Sequence, residues 1–110
     1  MNKLVNKEGN ELFPLETGKV NSYLSYIRVG RIVNLHFSKT YSSTSNTKEV
    51  ITTALPFSCG YARNGISLLV GTTLVGHASI YVIGNEVGVN LASYSAAVTA
   101  QGNIICFIED

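Results

Sequence analysis

Tryptophan is missing from this chain, methionine occurs once, and cysteine and proline occur twice each. Two cysteines, Cys59 and Cys106, allow one disulfide, but neither a disulfide framework nor a metal cluster. They read as two reduced, mostly buried thiols. Charge is scarce too: 14% of the 110 residues are charged, against about 25% in an average soluble domain. The net charge of +1 leaves no electrostatic footprint for nucleic acid or an anionic membrane. No apolar run approaches the ~18 to 20 residues of a membrane helix, so membrane insertion is not expected. The start, MNKLVNKEGNELF, lacks the apolar core of a secretory signal. The glycines are spread at turn spacing rather than grouped before a helix, which argues against a phosphate cradle.

What is present is period two. In SYIRVGRIVNLHFS (residues 25–38), Val33, Leu35 and Phe37 fall on one face of a strand and Asn34 and His36 on the other. Gly30 marks a corner between two strands, residues 20–29 and 31–39. Upstream lie a polar arm (residues 1–11), an apolar clip in which Pro14 forbids a central strand, and a turn at residues 16–19. Residues 40–48, TYSSTSNTK, read as a loop, and a short strand at residues 49–53 ends at Ala54-Leu55-Pro56 with Leu55 free to point inward. Residues 57–65 read as a second loop, and residues 66–70 and 72–75 as short strands. SIYVI and VGVNL around Gly84-Asn85-Glu86 form the clearest hairpin. Residues 92–101 are small and polar, Gly102-Asn103 turns the chain, and residues 104–108 close it with a strand that is apolar on both faces.

About eight strands at turn-bounded intervals predict a single all-β domain, an antiparallel β-sandwich of jelly-roll type or a squashed barrel. The expected division is an arm or linker over residues 1–19 and a head over residues 20–110. Residues 67–102 hold one charged side chain, Glu86. Such an uncharged all-β surface implies burial against further copies of the chain. The candidate interface residues are Val20, Leu24, Ile27, Leu74, Ile105 and Phe107.

Motifs for catalysis are thin. Glycoside cleavage needs two facing carboxylates, and outside the termini only Glu49 and Glu86 remain to be paired. His36 and His77 match no metal-ligand spacing, so no metal or other cofactor is expected.

Several segments resemble a known family. GNELFPLETGKV is similar to the segment that precedes the C-terminal head of phage tail-tip and baseplate proteins, with Gly9, Phe13, Pro14 and Val20 in matching places and Thr17 one residue late. VGRIVNLHFS looks like the first strand pair of those heads. ITTALPFSCG resembles their proline-containing element through Leu55, Pro56, Gly60 and Tyr61, and GNIICFIED is similar to their last strand. The resemblance implies a homotrimeric, non-enzymatic head on a phage or prophage tail fibre, carried on the virion. Its expected partners are further copies of itself, a bacterial surface glycan, and other tail or baseplate proteins.

Sugar binding needs an aromatic face for the ring and fixed polar groups for its hydroxyls. Tyr41 in the Ser/Thr loop, Tyr61 with Arg63 and Asn64, and Tyr94 are the candidate saccharide residues. The alternative is a structural trimerisation cap without a ligand, and a glycan-cleaving tail enzyme ranks third.

Overall fold

The computed structural model describes residues 2–5 and 11–109, with side chains from Leu15 onward. Most of the expected polar arm, including Gly9, lies outside the described residues. Nine antiparallel strands form one curled, barrel-like sheet: β1 (Asn2–Val5), β2 (Glu11–Lys19), β3 (Leu24–Val29), β4 (Ile32–Tyr41), β5 (Thr47–Thr52), β6 (Cys59–Val70), β7 (Thr73–Gly84), β8 (Glu86–Leu91) and β9 (Val98–Phe107). Their spatial order is β1-β2-β3-β4-β9-β6-β7-β8-β5, so the closing strand β9 lies at the centre, as its two apolar faces imply. The all-β, antiparallel expectation holds, and no helix forms among the described residues.

Alternation builds the core. Val33, Leu35 and Phe37 of β4 are fully buried beside Ile104 and Cys106 of β9 and Leu68 of β6. Ile80 and Val82 of β7 and Val87 and Val89 of β8 extend the same inner face. Each such aliphatic side chain contributes about 1.5–3 kcal/mol on full burial. Two tight turns are met by glycine at positive φ, Gly30 at 60° and Gly84 at 59°. Leu55 points inward and is buried, as its place before Pro56 allows.

Four segments differ from the sequence reading. Residues 16–19 are strand, and the turn lies at residues 20–23, where Asn21 Oδ1 accepts the Tyr23 N–H at 2.9 Å and the Val20 N–H bonds Leu24 O at 2.8 Å. Residues 15–19 pair with residues 25–29, so the sheet begins upstream of Val20 and these residues are not a linker. Pro14 is part of β2 although that strand has neighbours on both sides; the ladder to β3 starts only at Leu15.

Residues 59–65, read as loop, open the twelve-residue strand β6, and residues 73–75, read as a short strand of their own, are the start of the twelve-residue β7, with Thr72 in the turn before it. Gly102-Asn103 does not turn the chain but lies inside β9. A Cβ on Gly102 would collide with the Ile66 side chain, so glycine here permits close packing of β6 on β9.

Candidate functional site

The candidate saccharide residues separate into two groups. Tyr61 and Arg63 flank Ala62, which packs inward against the core, and both are exposed on the outer face of β6. The ladder between β6 and β7 is irregular between Cys59 and Ala62, and a bulge at Gly60-Tyr61 re-aims the tyrosine, which is 62% exposed. Arg63 stands opposite Tyr81 and makes no ion pair or side-chain hydrogen bond among the described residues. The other two arginines are committed: Arg31 donates twice to Ile108 O, at 3.0 and 2.8 Å, and Arg28 donates to Gly30 O at 2.9 Å. Asn64 is partly spent as well, because its Nδ2 donates to Asn103 O at 2.8 Å.

Around this pair the outer face is polar and aromatic. The Tyr81 ring covers Gly88, its hydroxyl donates to Glu86, and the Lys48 ammonium lies 5.1 Å from the ring centroid. Burial and then the bond to Glu86 raise the Tyr81 hydroxyl above the ordinary tyrosine pKa. The Glu109 side chain lies against Gly60 at the edge of the same region. A strand-borne platform of this kind offers an aromatic face, a guanidinium fork without a partner among the described residues and nearby carboxylate acceptors, the group types that sugar hydroxyls and ring faces need.

Tyr41 and Tyr94 are elsewhere. Tyr94 is half-buried against the core, and its backbone bridges Thr44 at 2.9 and 3.0 Å. Tyr41 points to the inner side of the sheet and belongs to a cluster that sequence reasoning missed. Its hydroxyl donates to Glu49 at 2.8 Å, and Lys39 Nζ donates to the same oxygen at 2.9 Å. The ammonium sits between two rings, 4.7 Å from the Tyr23 centroid and 5.0 Å from that of Tyr41. Burial pushes the Glu49 carboxyl up, but the bonds from Lys39 and Tyr41 together outweigh it and hold the group below its usual value. Burial, followed by the bond to Glu49, drives the Tyr41 hydroxyl far above the ordinary tyrosine range. Together with the Asn21 Nδ2 bond to Ile51 O at 3.2 Å, this cluster ties β4 and the β2–β3 turn to β5 across the open side of the sheet.

Glu49 faces inward beside Val89, whereas Glu86 pairs with exposed Ile83 on the outer face. Carboxylates on opposite faces of one sheet cannot flank a single glycosidic bond. Among the described residues no group of histidine, cysteine and acidic side chains is placed to hold a metal ion. No helix among the described residues is long and apolar enough to cross a membrane.

The candidate interface residues also divide. Leu24 is 1% exposed and Val20 is half-buried against the core, so the protomer's own interior uses both. Leu74 is exposed opposite Leu69 at the β6–β7 tip. That tip pairs near Thr99, eight residues along β9 from Phe107, or about 26 Å at the rise of a strand.

Ile27, Ile105 and Phe107 do come together, with Ile32 as a fourth member that the sequence reading overlooked. All four are half-exposed or more on the outer face, where cross-strand pairing sets Val29 by Ile32, Ile32 by Phe107, Ile27 by Asn34 and Asn34 by Ile105. A hollow of ≈ 350 Å³ opens among Val29, Gly30, Arg31, Ile32 and Phe107. The signal was available in the alternation: residues 27, 105 and 107 sit one step out of phase with the buried positions of their strands.

The chain was compared with protein-family models, with curated proteins and with solved structures. It matches none of them.

Proposed function

We propose that this chain is the head of a fibre-like assembly, a non-enzymatic module of a phage or prophage tail that clusters with copies of itself and attaches to a bacterial surface saccharide. The observation that carries the reading is the outer face of β3, β4 and β9. Ile27, Ile32, Ile105 and Phe107 lie there half-exposed or more, around positions without a formal charge apart from Arg31, whose guanidinium is tied to Ile108 O. A contiguous apolar patch on so weakly charged a chain favours a protein partner, and the tail-head resemblance favours a three-fold arrangement of copies.

Tyr61 and Arg63 support the saccharide part of the reading over a ligand-free cap. An aromatic ring 62% exposed beside a strand bulge, two residues from a guanidinium with no partner among the described residues, presents the ring face and the donors that a saccharide takes. Single-site binding on such an open platform is weak, and clustering supplies the avidity.

The test is a glycan array of bacterial surface polysaccharides probed with the intact assembly. Binding to at least one saccharide that falls tenfold or more in Tyr61→Ala and Arg63→Ala, while Tyr94→Phe retains it, supports the reading. Silence across the array, or binding indifferent to both substitutions, overturns the assignment of this site.

A further inference from the structure

Cys59 opens β6 and Cys106 lies near the end of β9, 47 residues apart in sequence, yet their sulfurs are 3.2 Å apart in the core. Both side chains are buried, and both thiols are free. The surrounding ladder gives the pair its meaning. Strands β6 and β9 are paired in register only at residues 67–69 with 99–101. Towards the other end they part, and they meet again at one isolated bridge, Cys59 with Ile108, backed by the Glu109 N–H bond to Ser58 O at 2.8 Å. Between those two points the Asn64 side chain spans the gap to Asn103 O. The cysteines therefore face each other beside that isolated bridge, at the far side of the unpaired gap between β6 and β9.

We propose that Cys59 and Cys106 are a disulfide site, closed by a small-molecule disulfide of the glutathione class, that staples β6 to β9 across this gap. The step balances as thiol–disulfide exchange. One cysteine thiolate attacks a sulfur of the small disulfide and expels one small thiolate. The second cysteine, deprotonated, attacks the resulting mixed disulfide and expels the other. Two cysteine thiols become one protein disulfide, the small disulfide becomes two thiols, and the two protons pass to the leaving thiolates. Movement of about 1 Å brings the sulfurs from contact to bonding distance, which is small for side-chain rotation at strand ends.

Access sets the rate. Both sulfurs lie inside the core, so exchange requires β6 to lift from β9 at its weakly laddered end, a local opening that leaves the residue 67–69 ladder in place. Burial, and then the neighbouring thiol, push Cys106 up to about 12, and burial raises Cys59, which keeps both protonated until that opening occurs. Closure of so long a loop raises the melting temperature by on the order of 10 °C for a chain of this size. The inference rests on the fold alone and is independent of the saccharide reading.

The experiment incubates the full chain with oxidised glutathione, or with dithiothreitol as control, in native buffer and in urea below the unfolding transition. Samples are then denatured, alkylated and weighed. The expected product is a single chain about 2 Da lighter with no alkylated cysteine, a peptide pair linking Cys59 to Cys106, and the stated gain in melting temperature, reversed by dithiothreitol. The Cys59→Ala and Cys106→Ala variants should show neither the mass loss nor the gain. Two alkylatable thiols surviving in both buffers, stable glutathione adducts on each cysteine, or dimers linked between chains would overturn the proposal.

Discussion

Glu49 carries the interaction that fastens β5, the last strand of the spatial order, to β4 across the open side of the sheet. Its carboxylate accepts from both Lys39 and Tyr41, and about a third of its side chain is exposed, so solvent screening reduces what the ion pair contributes. A carboxyl held below its usual value contributes stability that is fully present above about pH 4.3, the unfolded value, and is lost as pH falls through the folded one. Glu49→Gln should therefore cost about 1 kcal/mol near neutrality, after discounting for screening, and progressively less below pH 4. Urea unfolding of the two proteins at pH 7 and pH 3 measures both ends. A difference that stays constant over that range would mean that charge at Glu49 is not what holds β5 in place.

Among the connecting elements, the segment between β5 and β6 matters most to the interior. Leu55 and Phe57 drop from it into the core, and Phe57 meets the Tyr26 ring edge-on at 5.1 Å, with the Arg28 guanidinium 6.0 Å from its centroid. Asn85, in the β7–β8 turn, holds the segment by donating from Nδ2 to Leu55 O and Phe57 O, both at 3.0 Å, while its own carbonyl accepts the Leu55 N–H at 3.1 Å. Phe57→Ala should destabilise the chain by about 3 kcal/mol, the low end for a large buried ring, because this plug lies at the rim where neighbours can partly collapse. Equilibrium denaturation measures it, and a loss under 1 kcal/mol would show that the plug is not part of the core.

The turns at Gly30 and Gly84-Asn85, the buried triad of β4 and the inward Leu55 were legible in sequence because each depends on neighbours a few residues away. The β6 start was not. Gly60, Asn64 and Gly65 are turn-forming types, and only the bulge and the open gap beside β9 let them sit in a strand. Gly102 misled for a similar reason, since its glycine serves a contact with Ile66, 36 residues away. Tyr61 and Arg63 were recognisable by residue type, although on a strand rather than a loop. The Lys39–Glu49 pair and the partnership of Ile32 with Phe107 were hidden, because both depend on how the sheet curls and pairs.

For the whole molecule the dominant fact is an interior closed by alternation and an exterior that is apolar where β3, β4 and β9 run side by side. Four half-exposed large side chains make a patch of a few hundred Å², the upper end of what a lone soluble chain leaves uncovered. A stable interface covers about 800 Å² per partner, so this patch would be its centre, with Asn34 between Ile27 and Ile105 and with Thr17 and His36 towards the rim. Since Ile105 and Phe107 are exposed in the single chain, replacing them changes protomer stability by only about 0.5 kcal/mol. Sedimentation velocity at micromolar concentration, run on the natural chain and on an Ile105→Thr, Phe107→Arg variant, tests the claim directly. The predicted result is a three-chain species for the natural protein and a single chain with an unchanged far-ultraviolet spectrum for the variant. A natural protein that sediments as one chain at every concentration, or a variant that keeps the natural assembly, would contradict it.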